Sequence, residues 1–147
     1  MKLLRVLIAC GILAGFGRTG LGQRELLEHA GIAGNLIHQR QARIPVARYA
    51  ALYRLSNDSL DDEGFALFSR PPRRGRFEFL CRAALSAATR EEALERIARF
   101  LHGVLDDLEV DLEKSGRAAV IIISEEQALP VGPAGRVFAY ELSLIHI

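Results

Sequence analysis

Near residue 105 the hydrophobic period of the chain changes, and that change limits what it can fold into. Upstream, Ala93, Leu94, Ile97, Ala98, Leu101 and Leu105 recur every three or four residues, the spacing of one inward helix face. Arg90, Glu91, Glu95, Arg96 and Arg99 fall on the opposite, wet face. From Leu108 the period is two: Leu108, Val110 and Leu112 alternate with Glu109, Asp111 and Glu113, as on a strand with one solvated face. Lys114-Ser115-Gly116-Arg117 then supplies a turn with glycine where positive φ is needed, and Ala118 to Ile123 predicts a second, more deeply buried strand. The implied fold class is α+β: a helical N-terminal part followed by an antiparallel β-hairpin packed against helices.

The helical part reads in segments. Leu3 to Phe16 predicts a buried first helix, broken by Gly17, Gly20 and Gly22; residues 23 to 30 predict a short second one, stopped at Gly31. Arg43-Ile44-Pro45 opens a third, with Val46, Tyr49, Ala50 and Tyr53 on its apolar face and an end at Ser56 and Asn57. Phe77, Leu80, Cys81, Ala84, Leu85 and Ala88 mark a half-buried helix. Thr89 with Glu92 forms a capping box for the next. Pro130, Gly132, Pro133 and Gly135 mark a loop, and residues 137 to 147 favour helix although they also alternate like a strand. With 147 residues, half of them hydrophobic, the chain suffices for one domain spanning residues 1–147.

Charge and cysteine usage exclude some functions. Nineteen basic against eighteen acidic residues leave a net charge of +1, so no global field draws the molecule to nucleic acid or to a membrane. Two cysteines, Cys10 and Cys81, make no disulfide framework, which places the chain in the cytoplasm. The run before Cys10 has the look of a lipoprotein cleavage site, but Arg5 interrupts it, and Leu3 to Phe16 is shorter than the roughly 20 apolar residues a bilayer span needs.

Chemistry-bearing motifs fail one by one. In Ser56-Asn57-Asp58-Ser59-Leu60-Asp61-Asp62-Glu63-Gly64, placing Gly64 at the sixth position of a calcium loop puts Arg70 where a bidentate Glu belongs. These acids are expected to solvate a connector and sit near the start of the next element. Arg70, Arg73, Arg74 and Arg76 follow no phosphate-loop pattern and predict a solvated basic turn that pairs with those acids. His29, His38, His102 and His146 show no metal-ligand spacing, so neither metal nor cofactor is expected. Gly15-Phe16-Gly17-Arg18-Thr19-Gly20 has dinucleotide-loop spacing without the surrounding βαβ unit. Residues 26 to 40 imitate a helix-turn-helix but lack the basic surround that DNA contact requires.

The order of several motifs carries a resemblance. Leu26-Leu27-Glu28-His29-Ala30-Gly31-Ile32, Arg43-Ile44-Pro45-Val46, Asp62-Glu63-Gly64-Phe65-Ala66-Leu67, Gly75-Arg76-Phe77 and the capped helix from Thr89 follow one another as in one known family. From about Leu21 onward the chain resembles the N-terminal effector domain, of arabinose-binding type, of AraC/XylS transcription regulators. Ala66 stands where that family more often has glycine. The resemblance implies a non-enzymatic regulatory domain that binds a small-molecule effector or self-associates, and that controls DNA only through a tandem helix-turn-helix domain. No such domain is expected within residues 1–147, and the chain reads as truncated in its last apolar segment. An effector pocket is expected between the helix of residues 77 to 88 and the hairpin, with Phe77, Phe79, Cys81, Phe100 and Tyr140 as candidate contacts. The alternatives are an exported or lipid-anchored small protein and a small enzyme with convergent catalytic groups.

Overall fold

A computed structural model describes residues 2–116 and 118–145. Arg117 of the expected turn, and His146 and Ile147 at the end of the last apolar segment, lie outside the described residues. The first departure from expectation is at the N-terminus. Leu3–Arg5 is a short strand, β1, and the helix α1 runs only over Val6–Phe16. β1 pairs antiparallel with β2, Arg43–Pro45, with Leu4 opposite Ile44. The segment expected to open the third helix is therefore a strand partner, and Pro45, extended at ψ 139°, hands over to α3 at Val46. Between them lie α2, Gln23–His29, and a 3-10 turn at Gly34–His38. The imitation reading helix of residues 33 to 40 is only that single turn. Gly31 takes φ +69°, as a helix stop of that kind requires.

α1 is the centre of the core. Val6, Ala9, Ile12 and Phe16 are wholly buried. Gly11 and Gly15, one helical turn apart, let neighbours approach the α1 backbone: a Cβ at Gly11 would overlap the Phe138 ring, and one at Gly15 the carbonyl of Phe65. Rings stack outward from there, with Phe138 and Phe65 5.8 Å apart, Phe65 and Tyr53 4.8 Å, and Tyr53 and Tyr49 6.4 Å. α3 runs on to Leu60, past the expected stop, and turns Leu52 and Ser56 inward; Val46 of the expected apolar face is exposed.

The second part contains α4 (Arg76–Leu85), α5 (Arg90–Val104), the hairpin β3 (Leu108–Ser115) and β4 (Ala118–Glu125), and α6 (Pro133–Ile145). The α+β class and the antiparallel hairpin are as expected, with Leu108 opposite Glu125 and Ser115 opposite Ala118. The capping box forms: the Glu92 amide donates to Thr89 Oγ1 at 3.1 Å, and the Glu92 carboxylate accepts from the Ala88 amide at 2.8 Å. Lys114 bridges from β3 to Glu91 and Glu95 of α5. At the other end, Tyr140 of α6 donates to Glu125 of β4 at 2.6 Å.

Three expectations fail here. β4 is the more exposed strand, with Val120 48% and Ile122 37% exposed, because α5 lies along β3 and leaves the outer face of β4 open. α4 buries only Leu80, and Leu85 points to solvent at 85% exposure. Pro133 and Gly135 are not loop residues but the first turn of α6, where a missing proline N–H costs nothing. Among the described residues, no helix is long and apolar enough to cross a membrane.

Candidate functional site

The acidic stretch after α3 folds into a tight buried corner, which corrects the solvated connector expected from its charge. Asp62 is 3% exposed, and Phe65, Leu67 and Phe68 are buried beside it. Its two oxygens accept from the amides of Gly64 and Ala66 at 2.7 and 2.8 Å. Burial pushes the Asp62 carboxyl up from its ordinary value, and those two hydrogen bonds and the Arg76 charge oppose the rise. Phe65 and Ala66 both adopt left-handed φ, 54° and 55°. From the end of α1, Arg18 clamps the corner by donating to the carbonyls of Ala66 and Phe68. Glu63 does sit at the start of the next element: its carboxylate accepts from the amides of Gly75 and Phe77 at 2.7 and 2.9 Å and so caps α4.

α4 lies over a small apolar cavity of about 30 Å³. Phe68, Phe77, Leu80, Phe100, Leu101 and Leu142 form most of its walls, with Glu63, Arg76 and Ser143 as its polar members. It lies among α4, α5, α6 and the corner, not between α4 and the hairpin. Outside it runs a shallow groove of about 450 Å³ lined by Arg70, Arg73, Arg74, Phe79 and Gly103. Arg76, Phe100 and Val104 border both spaces.

The structure brings three of the five candidate contacts together. Phe77 faces the cavity, Phe79 the groove, and Phe100 both; the Phe79 and Phe100 ring centroids are 5.9 Å apart. Cys81 is half-buried on α4 and lines neither space. Tyr140 is spent on Glu125. Arg76 and the Glu63 cap were not read from the sequence as parts of a site. A glycine-arginine pair opening a helix, with an acid upstream, was the available signal.

A family described as the arabinose-binding domain of AraC transcription regulator, N-terminal, matches residues 20–147. The chain belongs to this family. A search of curated proteins returned no match. The match to the arabinose-binding family takes in every element from α2 onward, while β1 and α1, on which those elements pack, precede it. Domains of this family sense and do not catalyse. The ionisable side chains at the cavity, Glu63 and Arg76, serve a helix cap and a wall. Among the described residues, no cluster of His, Cys, Asp or Glu is arranged to hold a metal ion.

Proposed function

We propose that residues 1–147 form one regulatory domain of a cytoplasmic AraC-type regulator, sensing a small effector at the α4–α5 face and biasing an attached DNA-reading domain. The family match carries this reading. The geometry supports it, since a cavity of about 30 Å³ has room for little more than a water-sized group. An effector enters only if α4 moves; α4 buries one side chain, Leu80, and is otherwise held by its Glu63 cap, by Arg96 of α5 donating to the Ala83 carbonyl and by the Phe79–Phe100 ring contact. Binding then favours one arrangement of the domain over another, which is the differential affinity a switch requires.

The test is thermal melting and hydrogen exchange of the purified chain in the small-molecule fraction of a cell extract. A raised melting temperature, with slowed exchange confined to α4 and the C-terminal turns of α5, is expected. An unmoved melting temperature would defeat the reading. The same chain is expected to give no salt-resistant retardation of a promoter fragment, since DNA contact belongs to the attached domain.

A further inference from the structure

Resting on the effector site proposed above, we infer that its ligand is an organic anion, an oxyanion head on an aryl or alkyl body, and not a neutral sugar. The acidic groups around the groove are already engaged. Asp58 pairs with Arg74 at 2.9 Å and Asp106 with Arg70 at 3.5 Å. Glu63 is taken by two amides at the start of α4, and Asp62 by two amides of its own corner. Each of these carboxylates around the groove thus has a partner. Arg73 and Arg76 are left without a side-chain ion pair among the described residues, and Arg76 Nη1 is buried with no hydrogen-bond partner.

An unpartnered guanidinium nitrogen in such a place is costly unless an acceptor reaches it. Arginine presents a planar fork of donors that fits a carboxylate or a phosphate. Beside it are apolar surfaces suited to a hydrocarbon body: the open Phe79 ring, 64% exposed, and Phe100, which borders both spaces. A sugar would need a ring of hydroxyl partners, and the cavity side offers Phe68, Phe77, Leu80, Leu101 and Leu142 instead. With its head at Arg73 and Arg76, such a ligand would lay its body along Phe79 and press into the cavity as α4 lifts.

The experiment is calorimetric titration of the whole chain with benzoate, octanoate and phenyl phosphate. Benzyl alcohol, L-arabinose and inorganic phosphate serve as comparators. Binding by carboxylates or by phenyl phosphate decides which oxyanion the site prefers, and either supports the inference. Arg73→Gln and Arg76→Gln are each expected to weaken that binding about tenfold or more. Phe79→Ala should weaken it severalfold, while Arg90→Gln, outside the groove, leaves it unchanged. Arg73 and Phe79 are exposed, so their variants keep the test sound if Arg76→Gln folds poorly. Equal binding of alcohol or arabinose, unchanged affinity in Arg73→Gln, or phosphate binding as tightly as phenyl phosphate would each overturn the inference. An arabinose response with no anion response would overturn it while leaving the effector reading intact.

Discussion

Close backbone approach governs the single-residue energetics of this fold. At Gly15 an added methyl would meet the carbonyl of Phe65, a backbone atom that no side-chain rotation can remove. Gly15→Ala is therefore expected to cost about 3 kcal/mol, at the upper end of ordinary overpacking. Gly103 is also helical, but a methyl added there would meet nothing within 4 Å, so Gly103→Ala should gain about 0.5–1 kcal/mol from helix propensity alone. Urea midpoints of the two variants should move in opposite directions. Ala66 tests the same physics from the other side. Its φ of 55° costs an L-residue about 1–2 kcal/mol, and the freer unfolded chain of a glycine variant would offset roughly 0.4–1 of the strain that glycine relieves. Ala66→Gly is expected to stabilise by about 0.5 kcal/mol in the same assay. The sequence showed Gly11 as a small residue in an apolar run and Gly15 as the first glycine of a dinucleotide-like spacing, neither as a packing contact. Their spacing is one turn of helix, but Phe138 and Phe65, which fill the space, lie far along the chain.

Among the elements, what could be read from sequence is what closes locally. The β3 alternation needs only its neighbours to show, and so does the Thr89–Glu92 box. Thr89→Ala should cost about 1 kcal/mol and fray the first turn of α5. The Glu63 cap reaches α4 across a folded corner and has no local signature. Glu63→Gln should lose about 1 kcal/mol of charge-assisted bonding and speed amide exchange at Gly75 and Phe77 while α5 stays protected. β1 and β2, three residues each, could not be separated from helix starts because each acquires its strand character only from the other. The exposure of β4 was hidden for a related reason: an apolar run says nothing about whether an element covers it. Where α6 meets the hairpin, the Tyr140 hydroxyl, helped by Arg136 and opposed by desolvation, holds the Glu125 carboxyl below the usual 4.5 of a glutamate. A depressed folded-state value means this contact stabilises fully above about pH 4.5 and is lost as pH falls through the lower value. NMR titration of the Glu125 carboxyl should find its midpoint raised toward 4.5 in Tyr140→Phe.

For the molecule as a whole, the helical part and the hairpin meet at Asp107. This residue is completely buried. Its Oδ2 accepts from the Ser69 amide, just beyond the corner, at 2.6 Å. Its backbone carbonyl accepts from the amides of Glu126 and Gln127, where the chain leaves β4, at 2.9 and 3.4 Å. One residue after α5 thus joins the corner under α4 to both ends of the hairpin. In the sequence it was one of two adjacent acids after a helix, with nothing to separate it from its exposed neighbour Asp106. Asp107→Asn keeps an oxygen for Ser69 and removes a charge from a fully buried place whose Oδ1 has no hydrogen-bond partner, so the two effects oppose each other. Its net change should stay within about 1 kcal/mol. Asp107→Ala strands the Ser69 amide and empties the side-chain volume, for an expected loss of about 2–3 kcal/mol. If helical part and hairpin unfold as one unit, far-UV and near-UV circular dichroism should follow a single transition that moves to lower denaturant in Asp107→Ala with its slope kept. Two separated transitions in that variant would instead show that, without this carboxylate, the α5–β3 packing and the Lys114 and Tyr140 contacts do not suffice to couple the hairpin to the helical part.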